Sequence, residues 1–156
     1  MTAVSVVGPD DGETITLGPS RMRIMEDGST TAHRLGIGEI TLAPHTNGPP
    51  QHRHGRHDEG FYVVAGRARF TVGDTSYDAP AGTLIMIPPG APHTFGNPSG
   101  ETTVLLNTFT PDLYVQYFRD LGARIAGGQP LDDDTVIAAV RPYATEPATD
   151  FAEGSR

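Results

Sequence analysis

Residues 51–66 read QHRHGRHDEGFYVVAG and set three histidines and two acids within the eight positions from His52 to Glu59. His52 and His54 are two apart. On a strand, side chains two apart share a face, so both imidazoles can converge on one point. Gly55 allows the chain to turn, and Glu59, Phe61 and Val63 then share one face of a following strand. Two adjacent strands would thus present N, N and O donors to the same space. That is most of a metal site, and His93 is the candidate for a fourth donor.

Working outward, the chain has 156 residues, the size of one domain. Its 19 glycines and 14 prolines are scattered as turn signals, which suggests many short strands. With no cysteine, any metal must be held by N and O donors. A net charge of -8 with no basic stripe argues against nucleic acid and anionic membrane surfaces as partners. No apolar run approaches the roughly 20 residues of a membrane span. The first residues carry no basic, apolar leader pattern, so a cytoplasmic protein is expected.

Alternating runs separated by Gly, Pro and Asp turns recur from Thr14 to Phe109, often 8–12 residues apart. Roughly ten strands in that rhythm predict an all-β sandwich or closed barrel. Val4–Val7 is read as an extra N-terminal strand. The parity change between Ile37 and Ile40 is read as a bulge in one strand. From Thr110-Pro111 the period changes. Thr110 can cap a helix, and Pro111 suits its first position. Leu113, Tyr117, Phe118, Leu121 and Ile125 form one helical face that stops at Gly127-Gly128. Asp132–Asp134 can cap a second short helix ending before Pro142. The expected division is N-terminal strands at 1–30, a barrel core at 31–110, helices at 111–143 and a loose tail at 144–156.

His52, His54, Glu59 and Gly66 match, in every spacing, the first motif of the cupins. Gly82, Pro88, Gly90, His93 and Asn97 match the second. The chain therefore resembles a single-domain cupin of the cupin 2 conserved-barrel type. The family's glycine six positions before the first histidine is Thr46 here, with Gly48 nearby. The resemblance implies a jelly-roll β-barrel with a short C-terminal helical segment. It also implies one divalent metal per barrel (Fe, Mn, Ni, Zn or Cu) on His52, His54, Glu59 and His93. The segments GPPQHRH, DEGFYVVAG, APAG and IPPGAPHTFGN further resemble cupins described as quercetin dioxygenase-like. Some polyketide cyclases look similar in the same region. Dimerisation is common in such barrels, and a homodimer is expected.

Three neutral imidazoles and one carboxylate leave a divalent metal near net +1, with two octahedral positions open for water, O2 or a chelating substrate. Glu59 could both hold the metal and take a substrate proton, so it is the candidate catalytic residue. Phe61, Val63, Met86 and Phe95 are expected to line a small-molecule site, with Met22, Ile24, Leu35 and Ile37 contributing from the first half. His57, His33 and His45 fall outside the motifs, and His57 is read as exposed. The expected function is a metal-dependent, quercetinase-like dioxygenase acting on a hydrophobic hydroxylated small molecule. Non-redox polyketide cyclisation or isomerisation, and a non-enzymatic small-molecule-binding barrel, are the alternatives.

Overall fold

The computed structural model describes residues 3–148. The strands are β1 (Glu13–Leu17), β2 (Ser20–Glu26), β3 (Gly36–Leu42), β4 (Thr46–Asn47), β5 (His52–His54), β6 (Asp58–Ala65), β7 (Arg67–Val72), β8 (Thr75–Pro80), β9 (Leu84–Ile87), β10 (His93–Asn97) and β11 (Thr103–Thr110). Helices α1 (Val115–Ala126) and α2 (Asp133–Val140) follow, and a last strand, β12 (Thr145–Pro147), returns to the barrel. All pairings are antiparallel. One sheet runs β1-β2-β3-β11-β6-β9, the other β12-β5-β10-β7-β8, with β4 also on β10. The all-β jelly-roll expectation is borne out.

The core lies between the two sheets. Phe61 of β6 packs on Phe70 and Phe95 of the other sheet, with ring centroids 5.1 and 5.0 Å apart. The alternation along β6 explains the inward set. Glu59, Phe61 and Val63 are buried, while Tyr62 and Val64 face out. Strand β9 pairs with β6 so that Ile87 lies opposite Glu59 and Met86 opposite Gly60. Met86 is therefore on the outer face, 57% exposed, and does not line the interior as expected. Phe61 and Val63 are fully buried core residues.

Strand β3 is regular. Gly36, Gly38, Ile40 and Leu42 all point inward, and Ile37 lies on the other face. The expected bulge is instead in β2, where the register on β3 shifts between Ile24 and Glu26. Glycine at inward positions mimics a parity break in sequence. At Gly38 a Cβ would stand 2.0 Å from Met22 Cε, so the fully buried Met22 fills the space a side chain would take. Leu35 and Ile37 are only partly buried and do not join Met22 and Ile24 in the core.

Three further expectations are corrected. Val4–Val7 forms no strand, and Val4 and Val6 are 86% and 84% exposed. Thr110 does not cap a helix, because it is the last residue of β11; a short 3-10 turn, Asp112–Tyr114, intervenes before α1. Residues 144–148 are not a loose tail, because β12 pairs with β5 through Thr145↔His54 and Pro147↔His52. The rest of that expected tail, 149–156, lies outside the described residues. The second helix is capped as expected, Asp132 accepting a 2.9 Å bond from the Thr135 amide. Among the described residues no helix is long and apolar enough to cross a membrane.

Candidate metal centre

His52, His54, Glu59 and His93 come together as a buried cluster in which one ligand atom from each lies within 4.8 Å of all the others. Strand geometry accounts for three of them. His52 and His54 alternate with Arg53 on β5, and Glu59 begins the inward face of β6. His93 opens β10, directly opposite His52 in the register.

Each imidazole is fixed through its Nδ1. That of His52 donates to the Pro50 carbonyl at 2.8 Å, and that of His93 to the Ala91 carbonyl at 2.9 Å. That of His54 meets Thr145 Oγ1 at 2.7 Å. The Thr145 hydroxyl proton is committed to the Tyr143 carbonyl at 3.1 Å, so its oxygen accepts from His54. With Nδ1 engaged outward, Nε2 is the nitrogen turned into the cluster, where it can give its lone pair to a cation in place of a shared proton. Glu59 Oε2 lies 2.7 Å from His54 Nε2 and 2.9 Å from His93 Nε2. Its other oxygen, Oε1, accepts from Asn107 Nδ2 at 3.1 Å. The donor set therefore fits a divalent metal in chemistry, orientation and spacing.

Electrostatics agree. Burial pushes His52 down to about 3, with its neighbouring imidazoles adding to the effect, so it stays neutral. Burial by itself would raise the Glu59 carboxyl. Hydrogen bonds from His54 and His93 overcome it and hold the group ionised, well below the usual range. The same pairing holds His93 above its ordinary value against burial. A cation among these ligands would replace the shared protons.

Three neighbours, Asn107, Thr145 and Tyr114, were not singled out in sequence. Asn107 braces Glu59, and Thr145 braces His54. Tyr114 packs its ring 4.4 Å from His54 and stacks on Tyr117 at 4.5 Å. Burial pushes both phenols above their ordinary value. Asn107 had a legible signal, being polar at an inward position of the apolar alternation TVLLNTFT. Thr145 had none. His57 is not exposed as expected. It is 1% exposed, packs 4.1 Å from His54 and 5.2 Å from Tyr114, and has no hydrogen bond on either ring nitrogen. His33 and His45 are exposed and outside the cluster, His33 pairing with Asp112 at 2.8 Å.

A cavity of about 340 Å³ opens onto His52 and Glu59. Its walls include Ile40, Leu42 and Phe95 from the barrel and Tyr114, Tyr117 and Phe118 from the helical segment. Phe95 is the expected lining residue found there; Phe61, Val63 and Met86 are not. At the approach, Gly48 takes the close-contact role that Thr46 cannot. A Cβ on Gly48 would stand 1.9 Å from the Phe95 carbonyl oxygen.

Residues 38–109 match the family model described as Cupin domain. Over those residues the chain is similar to a cupin domain. Similar solved cupin-fold structures include a Cupin 2 conserved barrel domain protein from Salinispora arenicola (20% identity, TM-score 0.57, 76% of this chain and 98% of that one). The polyketide cyclase RemF from Streptomyces resistomycificus is similar at 23% identity and TM-score 0.62, over 70% of this chain and 80% of that one. A candidate sugar phosphate isomerase from Acidithiobacillus ferrooxidans aligns at 24% identity and TM-score 0.51, over 58% of this chain; the chain spans 59% of its length. At these identities the likeness is one of fold. No curated protein sequence matches the chain.

Proposed function

We propose that this protein is a metal-dependent enzyme acting on an uncharged, largely apolar, hydroxylated small molecule, with quercetinase-like dioxygenation as its reaction class. One observation carries the substrate class. The cavity that reaches the His52–Glu59 cluster is walled by aliphatic and aromatic side chains, and no arginine or lysine is among the described residues lining it. Its charged groups besides the cluster are the exposed carboxylates Asp132 and Asp133. A phosphorylated sugar or a small dicarboxylate would meet no protein cation there, whereas a flat phenolic or enolic ring is matched by Phe95, Tyr114 and Tyr117.

His52, His54 and His93 would hold a divalent metal through Nε2, with Glu59 as the carboxylate ligand. When bound, the metal supplies Lewis acidity toward a chelating hydroxyl and, if it is Fe, Mn, Ni or Cu, a place for O2 beside the substrate. Glu59 is ionised and poised to take the hydroxyl proton on Oε2, while Asn107 keeps Oε1 fixed. Tyr114 and Tyr117 wall the ring of the substrate, and α1 keeps bulk water from it.

Non-redox cyclisation is the second reading, favoured by the likeness to RemF over 70% of this chain. The test is metal analysis of protein purified without a metal-affinity column, followed by O2 uptake on flavonols, polyketide phenols, sugar phosphates and oxalate. A redox metal with O2 uptake on a flavonol supports the first reading. Tightly held Zn with ring closure and no O2 uptake supports the second. Turnover of only the anionic compounds sinks the substrate class. Under either reading His52→Ala should lose the metal while keeping the barrel; unchanged stoichiometry would refute the ligand set.

A further inference from the structure

The eleven basic residues of this chain are all arginine, and three of them, Arg53, Arg56 and Arg141, line one surface groove of about 460 Å³. The groove lies on the outer side of the β5–β12 ladder. Arg53 alternates with His52 and His54 on β5 and so faces away from the metal cluster. Arg56 comes from the turn after β5, and Arg141 from the end of α2. Gly55 and Gly90 line the same groove, and a Cβ at Gly90 would meet nothing within 4 Å, so the floor is open.

Charge makes this groove unusual in the molecule. The chain carries -8 overall, yet among the described residues the groove's lining holds three guanidinium groups and one acid, Glu146. Arg53 is already engaged, with Glu146 at 3.8 Å among its partners, so the open charge of the groove is that of Arg56 and Arg141. Arg56 and Arg141 are exposed and have no hydrogen-bond or ion-pair partner among the described residues. Arg141 at the C-terminus of α2 gains a little from the helix dipole. That explains one position and not the meeting of Arg56 and Arg141 at one groove. Guanidinium groups offer planar pairs of donors suited to phosphate and carboxylate oxygens, and several around one concave surface repel each other unless an anion sits among them.

The geometry points to a second ligand site in this groove, for a small oxyanion carrying two or more negative charges. Its lining shares no residue with that of the apolar cavity, and His54 and Thr145 of the cluster border it from within. Phosphate and carboxylate ligands share this chemistry, and the two probes below tell them apart.

The test is calorimetric titration of the full-length protein with inorganic pyrophosphate and, separately, with citrate, at two salt concentrations. Saturable one-to-one binding that weakens with salt is expected. The stronger probe identifies the head group. Arg56→Gln with Arg141→Gln should weaken binding at least about tenfold, the loss of one charge-assisted contact. Because both side chains are exposed, the thermal midpoint and the metal stoichiometry should not change. Absence of saturable binding by either probe overturns the site, as does unchanged affinity in the double variant.

Discussion

Replacing Thr145 by valine isolates one hydrogen bond at the metal cluster. Valine keeps the shape of threonine and removes only the oxygen that accepts from His54 Nδ1 at 2.7 Å. Thr145 is 4% exposed, so water does not readily take its place. If the Nδ1 proton stays, a buried donor is left unpaired, at about 1–3 kcal/mol. His54 has an escape, because moving the proton to Nε2 lets it donate to Glu59 Oε2, 2.7 Å away. That tautomer suits the metal-free protein and cannot bind a cation through Nε2. The loss should therefore fall more on metal affinity than on the stability of the metal-free fold. Partners of this kind typically cost about 10–100-fold in affinity. That range corresponds to about 1.4–2.7 kcal/mol. Competition for Zn2+ against a fluorescent chelator measures it, and urea unfolding of chelator-treated protein measures the fold. Thr145→Ser retains the oxygen and should bind like the parent. Thr145→Val binding Zn2+ within two- to threefold of the parent would show that Thr145 does not set the tautomer.

Other consequences can be measured alongside. Gly48→Ala drives a Cβ to 1.9 Å from the Phe95 carbonyl, a backbone atom that cannot swing aside; urea melts should show a loss of about 1–3 kcal/mol or more, and an unchanged midpoint would contradict the close approach. Met22→Ala empties the fully buried position beneath Gly38 and should cost about 2–5 kcal/mol in the same assay. For pH, burial pushes His57 from 6.5 down to about 4. Below pH 6.5 the unfolded chain takes up a proton that the folded one refuses, so stability is lost as pH falls toward 4. Between pH 7.5 and 5 that amounts to about 2 kcal/mol. Metal-stripped His57→Leu should lose that much less over the same interval, whatever its packing cost; parallel pH profiles for the two proteins would refute the buried, unpaired imidazole.

Three of the four cluster residues were legible because their spacing is a strand property, and His93 through its place in the second motif. His52 and His54 share a face whatever the rest of the chain does, and the inward parity of Glu59 follows from Phe61 and Val63. Parity also explains the errors. Met86 was expected to line the interior with Phe61 and Val63, but its register opposite Gly60 turns it outward. Gly36 and Gly38 occupy core positions without apolar side chains, so a regular strand read as a bulged one. His57, in the loop between β5 and β6, was read as exposed because nothing local signals that Phe109 and Tyr114, more than 50 residues on, close over it. Thr145 was beyond reach for the same reason. A single polar residue in a short segment carries no pattern, and its role exists only once β12 lies against β5.

That late return of the chain also bears on how the protein is made. All four ligands have left the ribosome well before Thr145, which is 91 residues beyond His54. A nascent chain thus presents its complete donor set to cellular metals before the hydroxyl that orients His54 has been synthesised. His54 then gains the acceptor for its Nδ1 only as β12 docks on β5. A chain cut just after α2 would keep every motif residue and lack the hydroxyl that orients His54.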